Sequence, residues 1–243
     1  WITSKLWNNC HLTPDVRPAL QNTLQDLGLE YLDLYLIHWP VAFPKNVLEP
    51  ASVRDLLPPG EIPLSMTWSA MIECRNKALT RHIGVSNFSK THISDLIRDT
   101  GVTPELNQFE IHPYLAQQTL VEYCHSSHIH VTAYGSLAKS AVKVRLEKSK
   151  LTSLLDYPIV KDVELRRGMT PAQVVLRWSV ERKIAVIHNS TDPSRLLENL
   201  ETINFHLGDD DIRALNTLDA GFRCVTGIHW NKPDSPYSEE WVW

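Results

Sequence analysis

Glycine is scarce in this sequence, with nine residues in 243, about half the usual ~7%. The shortage implies that several turns that ordinarily use glycine carry another residue, and Ala78, ahead of the apolar stretch at His82, is one such position. Cysteine is scarce too. Cys10, Cys74, Cys124 and Cys224 lie far apart with no C-x-x-C pair. That spacing argues against a disulfide framework or a zinc site and for reduced thiols in a cytosolic protein, so no metal centre is expected. No apolar run approaches the ~18 residues of a membrane span, and nothing resembles a secretory signal. Lysine and arginine are scattered and the formal net charge is −4, which gives no reason to expect a nucleic-acid partner. Internal repeats, low-complexity segments and the Gly-rich dinucleotide fingerprint are all missing. A cytoplasmic globular protein of one domain, spanning residues 1–243, is the expectation.

What is present is a regular alternation of strands and helices. Thr13 as N-cap, Pro14 at the first helical position, the apolar series Val16, Leu20, Leu24 and Leu27, and Gly28 as stop predict the first helix. Further helices are expected over about 66–79, 90–98 and 117–124, and from Thr170-Pro171, Asp192-Pro193 and Gly208-Asp209 onward. Between them lie apolar strands over 32–38, 82–87, 106–110, 130–134 and 185–190, with one more at the start of the sequence. Such alternation implies a parallel sheet with helical crossovers. The irregular stretches 41–63 and 137–156 follow strands, and 219–243 forms a tail without helical period that is read as a substrate loop.

The polar residues that end the strands carry the functional argument. In order they are Lys5, His38, Ser86 with Asn87, Gln108 with Glu110, Tyr134, and Asn189 with Ser190. In a parallel barrel every one of them crowds the same rim, where such folds place their chemistry. Singly, each has a plain structural explanation; six consecutive strands ending this way point to a site.

The strings Thr3-Ser4-Lys5-Leu6-Trp7, Leu32 to Pro40, Gly84-Val85-Ser86-Asn87-Phe88, Asn107 to Tyr114, Thr132-Ala133-Tyr134 and Pro193 to Asn199 resemble the aldo-keto reductase family, in its order and spacing. Aldehyde and aldose reductases look like near relatives. The resemblance implies a (β/α)8 TIM barrel and an NADPH-dependent oxidoreductase that turns aldehydes and ketones into alcohols by hydride transfer. The family's first two strands, with its catalytic aspartate and proton-donating tyrosine, precede the point where the sequence begins. An N-terminally truncated barrel of six βα units is therefore expected. The alternative is a catalytically dead family-like fragment, or a binding protein, lacking the proton-donor tyrosine.

Residue by residue, Lys5 matches the family's lysine, which lowers the pKa of that tyrosine, and His38 its carbonyl-orienting histidine. Ser86, Asn87 and Gln108 match the groups that hold the nicotinamide amide, and Tyr134 the ring that stacks on it. Ser190, Arg195, Glu198 and Asn199 match the adenosine-phosphate end, where the helix after Asp192 would offer free N–H groups to a phosphate. Trp39 and Trp230 would line an apolar substrate pocket. Two departures stand out. Asn189 occupies a position where the family commonly has lysine, so NADPH is favoured but NADH is possible. Gly135-Ser136-Leu137-Ala138 replaces the usual serine, proline, leucine, glycine. A small-molecule carbonyl substrate is expected, with no membrane partner. A monomer is expected as well, since no exposed apolar stripe is legible.

Overall fold

A computed structural model of the chain describes residues 1–138, 153–227, 230 and 234–237. Six strands form one sheet in chain order: β1 Thr3–Leu6, β2 Leu32–Ile37, β3 Thr80–Ser86, β4 Leu106–Glu110, β5 His130–Tyr134 and β6 Ala185–Val186. The β1–β2, β2–β3 and β5–β6 pairings are parallel, with Lys5 opposite Leu36 and Tyr35 opposite Ile83. Eight α-helices accompany the strands among the described residues: α1 Thr13–Leu27, α2 Leu64–Asn76, α3 Lys90–Thr100, α4 Gln118–Ser126, α5 Pro158–Arg167, α6 Pro171–Glu181, α7 Pro193–Leu200 and α8 Asp209–Asn216. This is the parallel α/β arrangement that the alternation implied.

The chain divides into two compact units. One comprises Trp1–Asn107, Tyr123–His130 and Gly227–Trp243; the other comprises Gln108–Glu122 and Val131–Thr226. In the first, α1 buries Val16, Leu20 and Leu24, one residue per turn, while Gly28 closes the helix in the left-handed region at φ 64°. Thr13 is the first helical residue rather than the cap, and Leu27 lies off the buried stripe at 51% exposure. β3 passes close to its neighbours at Gly84. A Cβ there would stand 2.5 Å from the Leu106 carbonyl oxygen and 2.8 Å from Leu36 Cδ2. That approach explains why one of so few glycines is spent inside a strand.

In the second unit, the chain after residue 157 forms α5, which the sequence reading left out. Its signals were legible: Pro158 opens the helix and Gly168, at φ 66°, ends it. β6 is shorter than expected, two residues instead of six, although Ile187 N–H still donates to the Ala133 carbonyl at 3.0 Å. The expectation of no exposed apolar stripe is overturned. Helix α7 has no buried residue and exposes Leu196, Leu197 and Leu200. No helix among the described residues is long and apolar enough to cross a membrane. Much of 137–156 and of the tail lies outside the described residues.

Candidate active site

In the first unit, parallel pairing brings Lys5 and His38 to one end of the sheet. The His38 N–H donates to the Leu6 carbonyl at 3.1 Å, one rung beyond the Lys5–Leu36 pair. Lys5 is half-buried and makes no hydrogen bond or ion pair among the described residues. Burial alone therefore pulls its pKa below the usual lysine range. His38 is also largely buried, and burial, then the nearby Lys5 charge, bring its pKa down to about 4. At neutral pH the pair is a cation beside a neutral imidazole, whose N–H can donate to an acceptor. The edge of Trp7 meets the His38 ring at 5.0 Å.

Ser86 and Asn87 end β3 beside this pair. Both are buried, and Asn87 takes the left-handed conformation at φ 60°. Its side-chain amide donates to the His38 carbonyl at 2.9 Å and to Ser86 Oγ at 3.2 Å. Asn107, which the sequence reading did not single out, donates to the Phe88 carbonyl at 2.9 Å and so fixes the following loop. Tyr35, by strand parity, points away from His38. Burial and the neighbouring Cys10 and Cys74 thiols push its phenol far above the ordinary range.

Trp39 and Trp230 do meet, edge to face at 6.0 Å. They share an apolar cluster with Val41, Phe43, Leu56 and Tyr237, and Phe43 lies 5.1 Å from Trp230. Sequence reasoning missed Phe43 and Tyr237, which sit in segments without periodicity. The Tyr237 hydroxyl accepts from Ala42 N–H at 2.9 Å and donates to the Leu57 carbonyl at 2.6 Å.

In the second unit, Tyr134 closes β5 and lines a cavity of about 340 Å³ with Gly135, Ser136, Leu137, Ile187, His188 and Asn189. Burial, and then the Glu110 charge, push the Tyr134 phenol well up. His188 Nδ1 is buried there with no hydrogen-bond partner among the described residues. An aromatic wall, an apolar floor and an orphaned ring nitrogen suit a flat, amide-bearing ring such as nicotinamide. Gln108 is buried on β4.

The other end fits less well. Asp192 caps α7, and its Oδ1 accepts from the N–H groups of Ser194 at 2.9 Å and Arg195 at 3.4 Å. Those are the N–H groups that the sequence reading reserved for a phosphate. Arg195 Nε lies 3.6 Å from Asp192 Oδ2, and Ser190 Oγ accepts from Asp192 N–H at 3.1 Å. Glu198 turns to α6, where Oε1 accepts from the Thr170 hydroxyl at 2.5 Å; Asn199 is half-buried beside it.

Glu110, His112 and Cys224 also gather in this unit, their ligand-type atoms within 4.8 Å of one another. Their bonding describes a latch. Glu110 accepts from His112 Nε2 at 2.8 Å and from the backbone N–H groups of Cys224 and Val225 at 2.7 and 2.9 Å. Among the described residues His112 Nδ1 is buried without an acceptor, whereas a metal-bound imidazole would need one for its remaining proton.

Comparison with known proteins gives a consistent result. The profile of the aldo/keto reductase family matches residues 1–220. Aldo/keto reductase slr0942 of Synechocystis sp. is 40% identical over 243 residues, covering 100% of this chain and 74% of that protein. The NADH-dependent D-xylose reductase of Candida parapsilosis is 40% identical over 237 residues, covering 92% and 72%. Among solved structures, the aldose reductase of Schistosoma japonicum superposes with a TM-score of 0.84 at 35% identity, covering 94% of this chain and 72% of that one.

Proposed function

The chain belongs to the aldo/keto reductase family, and from that premise we propose that it reduces apolar aldehydes and ketones to alcohols with a nicotinamide dinucleotide. The observation that carries this reading is the half-buried Lys5 beside the neutral His38 at one end of the parallel strands β1 and β2. A partly desolvated cation beside an imidazole at strand ends is an arrangement suited to act on a reacting group through its field.

When bound, the reduced nicotinamide supplies the hydride. His38 donates its imidazole N–H to the carbonyl oxygen and orients it. Lys5 favours developing negative charge on that oxygen, and lowers the pKa of a hydroxyl placed beside it. Within the first unit, Ser86 and Asn87 would offer hydrogen-bonding groups to the carboxamide; within the second, Gln108 would offer another and Tyr134 a ring for the nicotinamide to lie against. Trp39, Phe43 and Trp230 exclude water from the substrate and select apolar carbonyls.

A second reading has an observation of its own. No hydroxyl is bonded to Lys5 among the described residues, and Tyr35 and Tyr134, the tyrosines on strands, both have phenols pushed far up by burial. The chain would then bind dinucleotide and carbonyl without turnover. Loss of reduced-cofactor absorbance with an electron-poor aromatic aldehyde separates the two. Turnover that disappears in Lys5→Met and falls in His38→Gln supports the reductase; tight dinucleotide binding with no turnover supports the binding protein.

Location in the cytoplasm is part of the proposal. The sequence favours NADPH through Arg195, with NADH admitted by Asn189. Relatives at this identity are named NADH-dependent and NAD(P)H-dependent D-xylose reductases, so the choice rests on local chemistry at α7.

A further inference from the structure

We infer that Tyr237 is a specificity-determining residue: it fixes the spacing of Phe43 and Trp230, and with it the bulk of the apolar carbonyl compound that their wall admits. The inference rests on the proposed function, which sets Trp39, Phe43 and Trp230 against the substrate. All the residues involved belong to the first unit.

The Tyr237 hydroxyl is spliced into a backbone bridge. Ala42 and Leu57 form an isolated antiparallel bridge, in which hydrogen-bonded partners ordinarily exchange two direct N–H···O bonds. Here one is direct, from Leu57 N–H to the Ala42 carbonyl at 2.9 Å. The return path runs through the phenol, which accepts from Ala42 N–H at 2.9 Å and donates to the Leu57 carbonyl at 2.6 Å. Tyr237 is 1% exposed, so water does not compete for either bond. Burial pushes its pKa up to about 12 against the pull of the Ala42 N–H, and the hydroxyl keeps its proton for Leu57. The bridge in turn places Phe43, the next residue, whose own N–H donates to the Asn8 carbonyl at 3.0 Å.

The main chain of the same residue holds Trp230. Tyr237 N–H donates to Ser235 Oγ at 3.1 Å, and the Ser235 hydroxyl donates to the Trp230 carbonyl. Trp230 N–H donates to the Gly227 carbonyl at 2.8 Å. Tyr237 therefore joins the two sides of the wall, one through its hydroxyl and the other through its N–H. It acts through Phe43 and Trp230 and is a positioning residue.

The spacing it sets is tight. The Trp230 ring lies 5.1 Å from Phe43 and 6.0 Å from Trp39, within the ~4.5–7 Å of rings in direct contact. No third ring fits between them. A compact carbonyl compound can lie against this wall, whereas a broad fused-ring one has to part it. Without the hydroxyl, Ala42 N–H and the Leu57 carbonyl lose their shared partner, the bridge closes directly, and Phe43 and Trp230 are free to separate.

The test is calorimetric titration of the protein loaded with NADP⁺, so that aldehyde binds without turning over. Benzaldehyde and 2-naphthaldehyde are compared on the parent, Tyr237→Phe and Ser235→Ala. Phenylalanine keeps the ring in the cluster and loses only the hydroxyl; Ser235→Ala keeps the phenol in the bridge and cuts only the link to Trp230. Circular dichroism checks that both variants stay folded. The parent is expected to bind benzaldehyde at least about fivefold more tightly than 2-naphthaldehyde. Each variant should narrow that ratio by about threefold or more by tightening 2-naphthaldehyde, with benzaldehyde unchanged within about twofold. Tighter 2-naphthaldehyde binding by the parent, an unmoved ratio in Tyr237→Phe, or equal weakening of both aldehydes overturns the inference and leaves the proposed function standing. A shift in Tyr237→Phe that Ser235→Ala does not share overturns the coupling to Trp230. Binding of neither aldehyde by the parent overturns both the inference and the proposed function.

Discussion

The Asn87 side-chain amide donates to the main-chain carbonyl of His38 over 2.9 Å, tying the loop after β3 to the end of β2. Because Asn87 also sits at φ 60°, two physical effects can be separated at one position. Asn87→Gly keeps the left-handed backbone and loses the hydrogen bonds, which should cost about 1–2 kcal/mol. Asn87→Ala loses the bonds and strains the backbone, adding roughly 1 kcal/mol more. Urea unfolding of both variants measures the difference. Equal stabilities would show that the left-handed conformation carries no cost here.

Ala78 provides the converse case. It turns the chain from α2 into β3 at φ 58°, a conformation that alanine adopts only with strain. Ala78→Gly should stabilise the protein by about 0.5–1 kcal/mol, the relief of strain exceeding the extra entropy that glycine loses on folding. A lower thermal midpoint for the variant would contradict this.

Ala78 also shows what was legible in the sequence. A glycine shortage together with an expected turn marked the position, because turn chemistry is local. The same holds for the Thr170, Asp192 and Gly28 helix signals, and for the strand-end order Lys5, His38, Ser86, Asn87. Asp192 is legible as opening a helix, but the use of its carboxylate is not. The spacing shows a cap, but not that the carboxylate takes up the two N–H groups a phosphate would use. The Glu110 latch was illegible because it joins residues more than 110 positions apart, Cys224 N–H reaching Glu110 at 2.7 Å. Phe43 and Tyr237 escaped for the same reason, since irregular segments have no period to betray which side is buried.

The latch makes its own prediction. Burial pushes the Glu110 carboxyl up, but the hydrogen bond and charge of His112, then the Val225 N–H and the Cys224 side chain, outweigh it and hold its pKa below the ordinary range. Glu110→Gln removes the charge on which three donors converge and should cost about 2–4 kcal/mol. The segment it holds should loosen first. Tryptic cleavage after Arg223 is therefore expected to quicken at least severalfold in the variant while cleavage elsewhere changes less. Uniform acceleration at all sites would mean that Glu110 supports global stability without acting as a local latch.

Three histidines of the first unit make stability fall on mild acidification. Burial lowers the pKa of His11 to about 3, and those of His38 and His92 to about 4. Both ring nitrogens of His11 lie buried with no hydrogen-bond partner among the described residues. In each case the folded value is below the unfolded ~6.5, so between the two the unfolded chain binds more protons. The stabilisation is therefore complete above pH 6.5 and is lost as pH falls toward 4, on the order of 2 kcal/mol per histidine by pH 5. The urea midpoint should drop steeply between pH 7 and pH 5, before the carboxylates titrate. His92 can be removed from the set without disturbing α3. It serves as third residue of the helix, its Nδ1 accepting from Ser89 N–H at 3.3 Å, a place that glutamine fills equally well. His92→Gln should keep its stability at pH 7 and lose less than the parent at pH 5. Parallel losses in the two proteins would show that His92 titrates normally and that the acid sensitivity arises elsewhere.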